Sequence, residues 1–207
     1  MKHFMAAALV LAASVVPAQA QSAPAGFVRG FGGVSFLTET GGVFGFSAGA
    51  HVTRSIDVFG DLGRITNMLP RKIQEDVDAA ARQFGSFYGA PLTIDLQAPG
   101  LYGLGGVRFS HTTAQRFTVF VEAGAGAARG TSDITAVAGG INVSTQVTAV
   151  LNLKESVIEP LMALGGGIGI PLGSRLTLDL GYRFMRIYTQ DPRIDTATMT
   201  AGVNWSF

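Results

Sequence analysis

The chain has 207 residues, of which 47% are hydrophobic and only 14% are charged, and its formal net charge is +1. Soluble domains have about a quarter of their residues charged, so this composition disfavours a fully water-exposed surface, and nothing in the charge balance indicates a nucleic-acid partner. Because the chain has no cysteine, a disulfide framework and a cysteine-linked lipid anchor are both excluded.

The first twenty residues have the three parts of an export signal. A basic start is followed by a nearly continuous apolar stretch over 4–16 and then by the small residues of a cleavage site. The apolar stretch is shorter than the roughly 20 residues of a spanning helix, so a removable leader is favoured over a membrane anchor. We expect cleavage between Ala20 and Gln21, which leaves 21–207 as one domain.

Beyond the leader, apolar side chains alternate with polar or small ones in eight segments. A period of two is typical of strands with one apolar face, and each segment is close to the roughly 9–11 residues of a tilted transmembrane strand. A chain that is apolar overall but nowhere continuously apolar fits a membrane barrel, whose lipid-facing and lumen-facing residues alternate. The segments are 27–36, 43–53, 56–65, 101–109, 117–125, 158–170, 176–185 and 199–207.

The connections between these segments differ in length in a regular way. Those near 54–55, 111–115 and 173–174 are short, whereas those over 66–100 and 129–157 are long. Apart from a modest first loop, short and long connections alternate, which is typical of an up-and-down barrel with short turns at one end and long loops at the other. With an even number of strands, both chain ends lie on the side of the short turns.

The long connection over 67–88 contains a predicted short helix that begins after Pro70, a residue type suited to the first helical turn. Its apolar residues recur at helical spacing, so we expect them to pack on the barrel mouth. A lid or a partner-docking element is the alternative. The apolar stripe consists of Ile73, Val77, Ala81 and Phe84.

The other long connection has two alternating arms, 131–137 and 141–153, around the pair Gly139-Gly140. The first arm is short for a membrane span and its apolar residues are small, so a hairpin that projects beyond the membrane is preferred. Two further barrel strands, which would make ten, are the alternative. A projecting hairpin has exposed edges that can pair with another chain.

Charged side chains of both signs fall on inward positions of the predicted strands. An eight-stranded barrel has an interior that side chains just fill, and buried charges must pair with one another or bind a ligand. The sequence therefore predicts a lumen charge network that plugs the barrel, with a gated polar path for small solutes or ions as the alternative. The predicted network consists of Arg29, Asp57, Asp61, Arg108, Glu122, Glu159, Asp179 and Arg183.

An enzyme would need a nucleophile, a histidine and a carboxylate close together near the membrane rim. Beyond the leader the chain has two histidines. His51 shares inward faces with Ser47 and Asp57 but lies near the short turns, and His111 is predicted to lie in a short turn. Zinc-binding motifs are missing from the sequence. We expect neither catalysis nor a metal or cofactor.

The last nine residues alternate strictly and end on an aromatic residue. Val203, Trp205 and Phe207 share the apolar face, and aromatic residues anchor outer-membrane barrels at the membrane–water boundary. Together with the leader and the eight segments, this ending resembles the closing strand of small Gram-negative outer-membrane β-barrels of the OmpA/OmpX-like family.

The resemblance implies an all-β fold, an eight-stranded antiparallel up-and-down transmembrane barrel in the outer membrane with both termini in the periplasm. It implies contact with membrane lipid, and insertion by the barrel-assembly machinery, which would read Val203, Trp205 and Phe207 as a sorting signal. We expect a structural or surface-interaction role, in which loops bind an extracellular protein or surface ligand. A narrow porin-like channel is the alternative, and an outer-membrane hydrolase is less favoured.

Overall fold

The computed structural model describes most of the chain from Ala25 to the C-terminus. The described residues are 25–38, 40–69, 74–75, 77–79, 81–82, 92–113, 117–131, 133–138, 141–142, 144, 157–189 and 193–207. The predicted leader and its cleavage site between Ala20 and Gln21 lie outside these residues. So do Ile73 and Phe84 of the predicted helix, and residues 145–153 of the predicted hairpin.

Within the described residues, eight strands close into an antiparallel barrel and three shorter strands form a separate sheet. The barrel strands are β1 (Gly26–Phe36), β2 (Gly41–His51), β3 (Ile56–Ile65), β5 (Gly100–Thr112), β6 (Thr118–Gly130), β9 (Val157–Pro171), β10 (Leu176–Ile187) and β11 (Ile194–Ser206). The separate sheet contains β4 (Leu92–Gln97), β7 (Asp133–Ala138) and β8 (Ile141–Asn142). The predicted eight-stranded barrel is confirmed, and the ten-stranded alternative is wrong because β7 and β8 belong to the separate sheet.

The burial pattern of the barrel is inverted relative to a soluble protein. On β2, for example, Phe46 is 59% exposed and the neighbouring Ser47 is 1% exposed. Large apolar side chains cover the outer surface, while polar and charged side chains are buried inside. Exposed apolar area of this extent would be a liability in water, and it matches a surface that faces lipid.

The first and last barrel strands pair with each other and close the cylinder. Phe207 donates its backbone N–H to the Gly26 carbonyl at 3.0 Å, and its own carbonyl accepts from the amides of Ala25 and Gly26 at 2.7 and 3.1 Å. Closure leaves no open barrel edge, so the backbone groups of every barrel strand have partners within the sheet.

The two ends of the barrel differ. We call the end with the chain termini and the short connections 52–55, 113–117 and 172–175 the turn end, and the opposite end the loop end. β4 lies in the loop-end connection between β3 and β5, and β7 lies in the loop-end connection between β6 and β9. The two strands pair along six residues, from Leu92↔Ala138 to Gln97↔Asp133. β4 lies inside the connection 66–100, for which the sequence pattern predicted no strand. Its partner is about forty residues away in the chain, so local pattern alone did not reveal the pairing.

Helical residues occur between 74 and 82, which confirms the predicted short helix. Ala81 is buried and Val77 is half-buried, while Glu75 and Arg82 are exposed. No helix in the described part of the chain is long and apolar enough to cross a membrane. The side-chain oxygen of Asn67 accepts hydrogen bonds from the amides of Leu69 and Ala98 at 3.0 and 3.1 Å, which ties the segment after β4 to the barrel rim.

Glycines on the inner face make room for aromatic rings that fill the lumen. A β-carbon at Gly49 would lie 2.5 Å from the carbonyl oxygen of Val58 and 2.6 Å from the ring of Phe27. Neither group can withdraw easily, because the first is backbone in a paired strand and the second is buried. The narrow lumen therefore requires glycine at this position.

Replacing Gly49 by alanine should destabilise the barrel by about 1–3 kcal/mol through overpacking. The measurement is the midpoint of urea unfolding of the refolded protein in detergent micelles. Gly30→Ala is the matched control, because a β-carbon at Gly30 meets nothing within 4 Å. Equal midpoints for Gly49→Ala and Gly30→Ala would contradict this account of the inner glycines.

Candidate functional site in the barrel lumen

Six charged side chains from five barrel strands meet inside the barrel. Each of the six residues is at most 7% exposed. Three guanidinium groups face three carboxylates, so the net charge of the group is zero. We call it the lumen cluster, and it consists of Arg29 on β1, Asp61 on β3, Arg108 on β5, Glu122 on β6, and Asp179 and Arg183 on β10.

Glu122 lies at the centre of the lumen cluster and binds two arginines. Its Oε1 accepts hydrogen bonds from Arg183 Nε at 2.9 Å and Nη2 at 2.5 Å. Its Oε2 accepts from Arg108 Nε at 3.2 Å and Nη2 at 3.0 Å. Hydrogen bonds between ionised partners are stronger than neutral ones, and the planar guanidinium fixes their direction. Glu122 therefore joins β5 and β10 across the lumen.

The two aspartates complete the pairing. Arg108 Nη1 donates to Asp179 Oδ2 at 3.0 Å, and Arg183 Nη1 lies 2.5 Å from Asp61 Oδ2. Arg29 is held more loosely, with its Nη atoms 3.6 Å from both aspartates and its Nε without a hydrogen-bond partner. Arg29 thus contributes mainly charge, whereas Arg108 and Arg183 contribute directed bonds.

Aromatic and aliphatic side chains enclose the lumen cluster. The Arg108 guanidinium lies 4.1 Å from the ring centroid of Phe120, a cation–π distance. Towards the loop end, inward side chains such as Met185 and Ile187 are buried in the apolar core. The cavity beside the lumen cluster has a volume of about 10 Å³, which is at the lower limit for a single water molecule. This cavity therefore has room for at most about one water molecule.

Two residues of the predicted network lie outside the lumen cluster. Asp57 Oδ1 is 2.6 Å from Nδ1 of its register partner His51, near the turn end. Glu159 faces inward but is only half-buried, and its register partner is Ala128, far along β6 towards the loop end. Among the described residues no ion pair joins Glu159 to the lumen cluster. Alternation identifies the face of a strand but not the height of a residue in the barrel.

The residues considered for catalysis do not assemble into a nucleophile and base. Ser47 Oγ is buried without a hydrogen-bond partner, so no Ser–His pair forms with His51. The prediction that His111 lies in a turn is wrong, because β5 continues to Thr112 and His111 pairs with Val119. No group of three metal-ligating side chains lies together in the part of the chain that the structure describes.

An ion pair near the loop end was not predicted from the sequence. Arg186 on β10 and Asp195 on β11 form two hydrogen bonds of 2.7 Å, from Nε and Nη2 to the two carboxylate oxygens. These residues are direct register partners. The ion pair becomes apparent only once β10 is known to pair with β11, because the two residues lie on opposite sides of the 188–193 connection. At the turn end, Val203, Trp205 and Phe207 are all exposed on the outer surface.

Removing the central carboxylate should destabilise the barrel strongly, because three buried arginines would then face only two carboxylates. Glu122→Gln is expected to cost about 3–5 kcal/mol of unfolding free energy, measured by urea unfolding in detergent micelles. Glu159→Gln is the matched control, an inward glutamate outside the lumen cluster, and should change the unfolding free energy by less than about 0.5 kcal/mol. A similar loss in both variants would contradict a special role for the lumen cluster.

Comparisons with solved structures agree with the fold. Neisserial surface protein A superposes with a TM-score of 0.61 at 15% identity, covering 90% of this chain and 100% of that one. The attachment invasion locus protein Ail of Yersinia pestis gives a TM-score of 0.50 at 12% identity, with coverages of 90% and 100%. At such identities the likeness concerns the fold alone.

No curated protein sequence matches the chain. Residues 5–207, however, match the family described as outer membrane protein beta-barrel domain. This match covers nearly the whole chain, and the closed barrel with its apolar outer surface is the architecture that the family name describes. The protein therefore belongs to the outer membrane protein β-barrel domain family.

Proposed function

We propose that this outer-membrane barrel acts at the cell surface through the sheet formed by β4, β7 and β8, and that its lumen does not conduct. The observation that carries the proposal is this sheet itself, because it is additional to the strands that close the barrel. A barrel that served only as a membrane scaffold would have no need of it.

The sheet has one buried face and one polar exposed face. Leu96 and Ala136 are buried, whereas Thr93, Asp95 and Thr135 are exposed. Within the described strands β4 pairs with β7 alone, so the other edge of β4 offers backbone donors and acceptors. An extended segment of a partner protein can add to such an edge, and alternate side chains then provide specificity.

The orientation of the barrel supports this role. We place the turn end and both chain termini in the periplasm and the loop end outside the cell, because outer-membrane barrels have short periplasmic turns and longer extracellular loops. The sheet then faces the exterior. Val203, Trp205 and Phe207, on the outer surface at the turn end, are proposed as the signal for the barrel-assembly machinery.

The name of one similar solved protein, Ail, supports a surface-interaction role. Ail is named an attachment invasion locus protein, and one of its structures is a complex with the heparin analogue sucrose octasulfate. The exposed face of the present sheet contains Asp95 and no described basic residue. We therefore propose an extracellular protein as the partner of this sheet. A role without catalysis is proposed too, since Ser47 and His51 are not hydrogen-bonded to each other: Ser47 Oγ has no hydrogen-bond partner, and His51 pairs with Asp57.

Removing β7 and β8 should abolish adhesion without unfolding the barrel. Gly130 and Val157 are register partners, so a four-residue glycine–serine turn can replace 132–156. Cells of a laboratory Gram-negative strain that express the parent protein should adhere to a cultured epithelial monolayer above the empty-vector level. Cells with the shortened variant, at equal surface amount, should adhere at the empty-vector level. Equal adhesion of parent and shortened variant would contradict the proposal.

A lumen filled by the lumen cluster predicts electrical silence. The refolded mature protein should show no steady single-channel openings in planar lipid bilayers, because the lumen cluster leaves a cavity of only about 10 Å³. The double variant Glu122→Ala/Arg183→Ala, which removes two of the side chains that fill this level, should show openings. Steady openings of the parent protein would favour a narrow channel instead.

A further inference from the structure

A groove of about 210 Å³ lies near the loop end and is lined by Arg64, Leu101 and Arg129, together with Pro99, Gly100 and Thr131. Leu101 is the register partner of Arg64 on one side and of Arg129 on the other. The three side chains therefore form one row across β3, β5 and β6. All three are exposed on the outer, lipid-facing surface, and Leu101 is 58% exposed.

The apolar side chains below this row show how high it lies relative to the membrane. On β6 the outward positions before Arg129 are apolar, namely Val119, Val121, Ala123, Ala125 and Ala127. A strand that rises about 3.4 Å per residue and is tilted by about 40° covers about 26 Å over the ten residue steps from Val119 to Arg129. The apolar band of such barrels is about 25 Å tall. The arginines thus lie where hydrocarbon gives way to lipid headgroups.

The chemistry of the row matches an anionic headgroup. An arginine on the lipid face is costly in hydrocarbon but costs little at the interface, and its planar guanidinium binds phosphate through two parallel hydrogen bonds. Arg64 has no ion-pair partner among the described residues. The α-carbons of Arg64 and Arg129 are separated by two strand spacings, about 10 Å, so both guanidinium groups can reach one phosphate above Leu101.

We propose that this groove binds a lipid that bears an anionic phosphate, with the phosphate between Arg64 and Arg129 and an acyl chain against Leu101. Arg64, Leu101 and Arg129 all lie on the outer, lipid-facing surface of the barrel, so we assign the phosphate to a membrane lipid. The proposal needs only a barrel that spans the membrane, and it is independent of the partner of the β4–β7–β8 sheet.

The test uses the full mature protein in phosphatidylcholine nanodiscs with a small fraction of diphosphoryl lipid A, a glucosamine-based lipid with two phosphate groups. Native mass spectrometry measures the lipid A that stays bound. The parent should retain lipid A in preference to phosphatidylcholine, and Arg64→Gln/Arg129→Gln should weaken this binding at least tenfold. Arg54→Gln/Arg175→Gln is the matched control, since both arginines are exposed at the turn end, and it should bind as the parent does.

Three results would overturn the proposal. They are unchanged binding by Arg64→Gln/Arg129→Gln, equal weakening in the turn-end control, and displacement of the lipid by millimolar inorganic phosphate, which would show that free phosphate is the ligand. The substituted side chains point away from the lumen cluster, so the variants should refold. If the double variant does not refold, the single variants Arg64→Gln and Arg129→Gln are measured instead, and each should weaken lipid A binding severalfold. Parent-like binding by both single variants would likewise overturn the proposal.

Discussion

The antiparallel pairing of β1 with β11 is the contact on which the rest of the structure depends, because it turns a sheet into a cylinder. Hydrocarbon offers no hydrogen-bond partners, so each backbone amide and carbonyl in the membrane must find one within the protein. The pairing from Phe27↔Ser206 to Phe36↔Ala197 supplies them for both strands. It also creates the lumen, and it brings Arg29 near the start of the barrel within 3.6 Å of Asp179 near its end.

Closure then determines the electrostatics of the interior. Three guanidinium groups and three carboxylates are buried together in the lumen, and each charge is tolerated because opposite charges surround it. Such a cluster adds less to stability than its distances suggest, since desolvation offsets much of the attraction. Its larger effect is on register. A slip by one residue would turn Arg108 or Glu122 towards lipid, so the lumen cluster penalises incorrect strand pairing.

The outer surface and the loop end have different roles from the lumen. The barrel wall has a regular pattern, whereas the β4–β7–β8 sheet lies in the loop-end connections, where Asn67 binds the amides of Leu69 and Ala98. Binding elements on loops held by a rigid scaffold are common in proteins. The row of Arg64, Leu101 and Arg129 lies between these regions, at the height where the barrel wall leaves the hydrocarbon.

The sequence by itself determined which face of each strand points inward and, with the connection lengths, the eight-stranded topology. Both are local properties, because side chains alternate with a period of two along any strand. Only the tertiary structure decided which inward charges meet. It joined Asp57 to His51, left Glu159 near the loop end and brought Glu122 between two arginines. It also paired β4 with β7. These outcomes depend on register between strands that are distant in the chain, and no local pattern contains that information.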